Sequence, residues 1–304
     1  MKVLVTGVAG QLGYDVMNEL AKKGHEGIGS DIASFYNGIQ DDSAAATQPY
    51  YSLDITDKKR VDELLNEIKP DAVIHCAAWT AVDMAEDDDK IEKVRAVNAD
   101  GTKYIAEACK ELDCKMVYLS TDYVFDGTKD GKYTENDETN PINIYGESKL
   151  AGEKYVQEIL DKYYIVRTSW VFNINGKNFI ETMLRLSKAN NQLSIVNDQI
   201  GSPTYTKDLS RLLVDMLETS KYGLYHATNE GYCSWYEFAN TIFKLANINI
   251  DIKAINSNEY ASRAKRPMNS KLSKDKLIEY GFKPLPHWED ALKDYLIRRG
   301  DLLI

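Results

Sequence analysis

The sequence predicts an α/β protein in which a doubly wound parallel sheet is covered by helices on both faces, with a smaller, interleaved C-terminal lobe. Three observations carry this expectation. Short β-branched runs alternate with amphipathic helical stretches through the first half of the 304 residues, the rhythm of strands joined by crossover helices. The run "AVIHCAA" is apolar almost throughout, as a strand is when both its faces are buried. Beyond about Asn173 the rhythm gives way to helices separated by loops rich in Asn, Gly, Pro and Ser, and the chain length lies near that at which one core divides into two.

In chain order, "KVLVT" reads as the first strand, 11–23 as a helix and "EGIGSD" as the second strand. Residues 33–50, "SFYNGIQDDSAAATQPYY", have neither helical nor strand period and read as a mobile surface excursion. "AVIHCAA" is followed by a helix over 84–112, "KMVYLST" by a helix over 146–161, and "YYIVRTSW" closes the pattern. Helices are expected near 177–189, 206–219, 234–246 and 288–299. Residues 1–172, with about 205–224, are assigned to the first lobe, and about 173–204 with 225–304 to the second.

Composition excludes several classes of function. Lys+Arg 37 against Asp+Glu 47 gives 37 − 47 = −10, with no long basic stretch, so neither nucleic acid nor an anionic membrane surface is expected as a partner. Cys76, Cys109, Cys114 and Cys233 show no CxxC spacing, and three of them fall in apolar runs; a disulfide-free, cytoplasmic protein is expected. "MKVLVTG" lacks the apolar length and cleavage site of a signal peptide, and no stretch reaches membrane-span length. His25, His75, His226 and His287 form no pair at metal-ligand spacing and read as structural, with no metal site.

"VLVTGVAGQLG" places Gly7, Gly10 and Gly13 between a strand and a helix. A pyrophosphate calls for this arrangement: a sharp turn, a backbone without Cβ where the ligand approaches, and helix N–H groups carrying partial positive charge. Asp31 closes the second strand eighteen residues after Gly13, where a carboxylate accepts hydrogen bonds from an adenosine ribose. The first lobe is therefore expected to be a Rossmann-type NAD(P)-binding domain. No Arg or Lys follows Asp31 until Lys58, so a 2′-phosphate has no local partner, and NADH is expected to be at least tolerated and preferred over NADPH.

Ligands of such sheets sit beyond the carboxyl ends of the strands. One strand ends in "CAAWTAVD", where Ala77 and Ala78 would let a dinucleotide lie close to the backbone; another ends in "YLSTDYVFDG", offering Ser120, Thr121 and Asp122. Successive strand side chains point opposite ways, so only one of Ser120 and Thr121 is expected to face a substrate. Tyr145 and Lys149 open the next helix one turn apart, and Tyr145 is the one tyrosine of twenty with a lysine four residues on. A lysine ammonium held beside a phenol of ordinary pKa near 10 stabilises the phenolate, and lowering by about three would correspond to roughly 4 kcal/mol. Tyr145 would then serve as general acid to an alkoxide forming at a carbonyl, with Thr121 hydrogen-bonded to the same oxygen.

With these residues in place, the sequence resembles the extended short-chain dehydrogenase/reductase family, and within it the branch acting on dTDP-linked ketosugars. The likeness runs through "TGVAGQLG", "LDITD", "AAWTAVDMAE", "VNADGT", "STDYVFDGT", "NPINIYGESKLAGE", "RTSWVF", "NFIETMLRL", "NDQIGSPT" and "KRPMNSKL". It implies reduction by NADH or NADPH of the C4 ketone of dTDP-6-deoxy-L-lyxo-4-hexulose, giving dTDP-L-rhamnose. It implies Thr121, Tyr145 and Lys149 as the catalytic triad, and Gln11, Leu12, Asp31, Asp54, Ile55, Ala78, Trp79 and Thr80 at the cofactor. Asp122 and Trp170 would lie against the sugar nucleotide. The resemblance is also compatible with a homodimer.

Three departures are visible. The 33–50 excursion is longer than the family's usual link, Trp79 stands where His or Tyr is commoner, and Asp15 replaces a glutamate that joins a Mg2+ site between subunits in some relatives; with the shorter carboxylate the metal is not carried over. A 4,6-dehydratase would need an Asp-Glu pair after the strand-end threonine, whereas Asp122 is followed by Tyr123. An epimerase and a non-catalytic dinucleotide-binding subunit remain as alternatives. In the second lobe Arg263, Lys265 and Arg266 form a basic cluster suited to a diphosphate, with Arg266 favoured by the "RPMNS" match. Trp235 reads as core.

Overall fold

The computed structural model describes residues 1–302. Seven parallel strands form the central sheet: β1 (Lys2–Thr6), β2 (Glu26–Asp31), β3 (Tyr50–Ser52), β4 (Ala72–His75), β5 (Lys115–Thr121), β6 (Tyr163–Thr168) and the strand Gly223–His226. Their order across the sheet is Gly223–His226, β6, β5, β4, β1, β2, β3. The winding reverses between β4 and β1, where a parallel sheet opens a crevice. Register aligns the ends that matter: Thr6 pairs with Ser30 and His75, and Thr121 with Thr168.

Alternation along each strand builds two apolar layers. Val3 and Val5 face the layer that holds helix α1 (Gln11–Lys22) and the helix Thr206–Leu217. Leu4 faces the layer of helices Lys58–Ile68 and Gly101–Glu111. A third core gathers Phe172, Phe238, Trp288, Leu292 and Tyr295, beside the parallel strand pair Gln192–Val196 and Asp251–Ile255.

Two expected elements differ. Residues 33–50 are pinned rather than a loose excursion: Tyr14 donates to Asp41 at 2.6 Å, Ala44–Thr47 forms a short helix with Ala45 buried, and Tyr50 starts β3 while its hydroxyl donates to Ala33 O at 2.6 Å. The single helix expected over 84–112 is broken into Val82–Ala85 and Ile91–Glu111. The acidic run between them makes a turn, and Ala96–Asp100 winds as a π-turn, a local widening that recurs at functional sites. Among the described residues no helix is long and apolar enough to cross a membrane. The four cysteines are free thiols.

Candidate active site

The glycine loop is shaped by close approach. Gly7 has φ 71°, and a Cβ there would lie 2.7 Å from the Ala77 nitrogen; one on Gly13 would lie 2.3 Å from Gly7 O. Gly10 caps α1 in extended conformation, without a side-chain cap, so the helix N–H groups face the crevice. At the end of β2, Asp31 accepts from the N–H of Ala9 (3.1 Å) and of Ile32 (2.8 Å), which fixes its carboxylate at the loop. Asp54 accepts from the N–H and hydroxyl of Thr56. This cradle, closed to any side chain at Gly7 and Gly13, fits a dinucleotide.

The alternation rule separates the two strand-end hydroxyls. Ser120 donates to Glu153 at 2.5 Å, and Glu153 is in turn held by Arg167 at 2.7 and 2.8 Å; all three are buried. Thr121 turns to the cleft, donating to Asp122 at 3.0 Å and accepting from the Tyr123 N–H at 3.2 Å. Asn143 caps the helix Ile144–Ile159, accepting from the Gly146 N–H at 2.8 Å, so Tyr145 sits in its first turn. The Tyr123 ring meets Tyr145 edge-on at 5.7 Å.

Electrostatics depart from the expected pairing. Burial pushes the Tyr145 phenol up to about 12, with Thr121's hydrogen bond pulling against it and Asp122's charge adding to it; the lowering expected from Lys149 is not what the fold gives. Burial instead pulls Lys149 down to about 7, opposed by the charge of Glu153 one turn on. Desolvation penalises whichever form is charged, so phenol and ammonium move in opposite directions. Asp122 is pushed up to about 6 by the same cause, and its second oxygen, like the Thr168 hydroxyl, is buried without a partner.

The cleft, about 750 Å³, brings together the glycine loop, Asp31, Asp54 and Ile55, the 77–80 strand end, Thr121 and Asp122, Tyr145, Lys149 and Trp170, but not the cluster Arg263, Lys265 and Arg266. Arg266 is held by Asp83 at 2.7 and 3.1 Å, and Arg263 pairs with Asp87. Two of the three members of the basic cluster are thus already paired with the acidic segment 83–87. Trp235, expected in the core, is half-buried on the cleft wall. It stacks on Trp170 with ring centres 3.6 Å apart, while Trp170 has φ 48° and its ring crowds Gly201, whose added Cβ would lie 2.7 Å away. Asp15 does not line the cleft: it accepts from Thr206 at 2.5 Å and faces Arg298 at 3.4 Å.

Asn98 is a residue the sequence reading did not single out. From the π-turn its amide oxygen accepts from the Trp79 N–H at 2.8 Å, and its nitrogen donates to Trp79 O and Ser148 Oγ at 3.1 and 3.0 Å. It ties the 77–80 wall to the helix bearing Tyr145; "VNADGT" carried it, without a role. His75 and His226 are buried, bonded to Thr6 and facing Arg167 respectively, with pKa lowered by burial.

Residues 1–299 match the family described as "RmlD substrate binding domain". The chain is 37% identical to the Spore coat polysaccharide biosynthesis protein SpsK of Bacillus subtilis, covering 98% of each chain. It is 38% identical to the dTDP-4-dehydrorhamnose reductase of Aggregatibacter actinomycetemcomitans, covering 96% of this chain and 97% of that one. Among solved structures, dTDP-4-dehydrorhamnose reductase from Bacillus anthracis in complex with NADP superimposes with a TM-score of 0.88 at 39% identity, over 98% of this chain and 100% of that chain.

Proposed function

The chain belongs to the RmlD substrate-binding-domain family, and we propose that it is an NAD(P)H-dependent oxidoreductase reducing the C4 ketone of dTDP-6-deoxy-L-lyxo-4-hexulose to dTDP-L-rhamnose. The observation that carries this reading is the convergence of Thr121, Tyr145 and Lys149 on the same cleft as the glycine loop and Asp31. The dTDP-4-dehydrorhamnose reductases among its relatives support the substrate class.

Bound NAD(P)H supplies the hydride. Thr121 and Tyr145 hold the ketone oxygen, and the Tyr145 phenol gives that oxygen its proton as the carbon is reduced. A phenol with a pKa near 12 is fully protonated at neutral pH, so the acid is loaded before the reaction begins. The phenolate left behind is met by Lys149, whose charge is worth most when an anion appears beside it in a site that excludes water. Asp122 holds the Thr121 hydroxyl in place, and its unpartnered oxygen is suited to accept a hydrogen bond from a sugar hydroxyl. The Trp170–Trp235 stack provides a flat apolar wall for the sugar nucleotide. Arg266 reaches the substrate's diphosphate only by leaving Asp83.

Purified protein given NADH and the dTDP-ketosugar is expected to lose nicotinamide absorbance in proportion to sugar reduced. Unchanged absorbance overturns the reading, and substrate epimerised without net NADH loss marks an epimerase. UDP- and GDP-linked ketosugars run beside it are expected to turn over more slowly.

A further inference from the structure

We propose that the segment 173–178, from beyond the sheet, is part of the dinucleotide site, and that Lys177 provides the cation facing the dinucleotide's pyrophosphate. The segment is bound to the glycine loop along its length. The Asn173 N–H donates to the Gln11 side-chain oxygen at 2.8 Å and its amide nitrogen to Gln11 O at 2.9 Å. Asn175 donates to Ala9 O and Gly10 O at 3.1 and 3.2 Å, and Asn178 to Gln11 Oε1 at 3.3 Å. Gln11 answers by donating to Lys177 O at 3.4 Å. Gly176, with φ 99°, makes the turn, and a Cβ there would lie 3.2 Å from Gln11 Cγ.

Lys177 lines the cleft. The glycine loop itself, "GVAGQLG", contains no basic residue, and two carboxylates, Asp31 and Asp54, line the same cleft. Helix N–H groups supply only partial charge, so the pyrophosphate needs a cation from elsewhere. Arg263 and Arg266 are committed to Asp87 and Asp83. Of the other lysines lining the cleft, Lys149 lies over the Tyr118 ring and Lys93 over the Trp79 ring on the 77–80 wall, whereas Lys177 is carried by the segment bound to the glycine loop; among the described residues no carboxylate is paired with Lys177. The Gln11 amide, for its part, is satisfied by the segment and acts as its anchor, leaving the Gln11 and Leu12 backbone N–H groups to the ligand. This inference rests on the dinucleotide reading of the glycine loop.

The test compares wild type with Lys177→Met and Lys177→Arg, measuring dissociation constants for NADH, ADP-ribose and adenosine by calorimetry at low and high salt. Lys177→Met is expected to weaken NADH and ADP-ribose about ten-fold, to leave adenosine within about two-fold and to flatten the salt dependence; Lys177→Arg is expected to restore affinity. An unchanged NADH constant in Lys177→Met overturns the proposal, as does equal weakening of adenosine, which would report a disturbed fold. A rise confined to the KM of the sugar nucleotide would assign the lysine to the other ligand and also overturn it. Failure of wild type to bind NADH would remove the dinucleotide reading itself, a result distinct from a silent Lys177→Met.

Discussion

The Lys149 ammonium lies 4.1 Å from the centre of the Tyr118 ring. Tyr118 also donates its hydroxyl to Lys149 O at 3.1 Å, so one aromatic residue fixes both ends of the lysine. The ring face offers a buried cation some compensation, but not enough to keep its pKa at the ordinary value. The lysine is held in a state of electrostatic cost, relieved when a negative charge forms nearby.

That cost has a measurable sign. Because the native state depresses the Lys149 pKa from 10.5 to about 7, folding stability carries a penalty that is full below about 7 and fades as pH rises from there towards 10.5. At pH 6, where the ammonium is charged in both folded and unfolded chains, Lys149→Met is expected to stabilise the protein by about 1–2 kcal/mol, roughly 2–6 °C, while removing turnover. A lower melting temperature for the variant at pH 6 would contradict the burial argument.

Tyr145→Phe removes from the cleft wall only the hydroxyl proposed as proton donor. The expected result is a fall in kcat of about 10²–10⁴-fold, with the NADH dissociation constant within about two-fold of wild type. Near-normal turnover would exclude Tyr145 as the acid.

The pH profile follows from two groups. Asp122 loses its charge as pH falls through about 6, and Lys149 loses its charge as pH rises through about 7; Tyr145 stays protonated until about 12. The value of kcat/KM for ketone reduction is expected to peak between the two lower values, and Asp122→Asn is expected to remove the acid limb. An Asp122→Asn enzyme that keeps the acid limb would separate that limb from this carboxyl.

Asp31, oriented by the N–H groups of Ala9 and Ile32, is expected to govern cofactor choice. Wild type is expected to bind NADH more tightly than NADPH, and Asp31→Ser to weaken NADH by about ten-fold, the scale of one charged hydrogen-bond acceptor, while sparing NADPH. Equal losses for both cofactors would place the carboxylate's role in holding the loop.

Much of the site was legible locally. The glycine spacing, the acid closing β2 and the Tyr145–Lys149 turn are short-range patterns, and such patterns report backbone conformation directly. Ser120 and Thr121 could be divided because strand side chains alternate, and the Glu153 bond then showed which of them is turned inward. The single helix expected over 84–112 breaks between Ala85 and Ile91; apolar spacing on either side of a short acidic turn looks continuous in sequence.

The sequence by itself determined the parallel sheet, the dinucleotide cradle and the tyrosine-lysine turn, since each depends on neighbours a few residues apart. Only the tertiary structure decided that Arg266 is engaged by Asp83, that Trp235, at the edge of the third core, stacks on Trp170 at the cleft wall, and that 173–178 lies on the glycine loop. These contacts join residues far apart in the chain, where no periodicity reaches. The titration of Lys149 and Tyr145 belongs with them, because a pKa records how much water and which charges surround a group after folding.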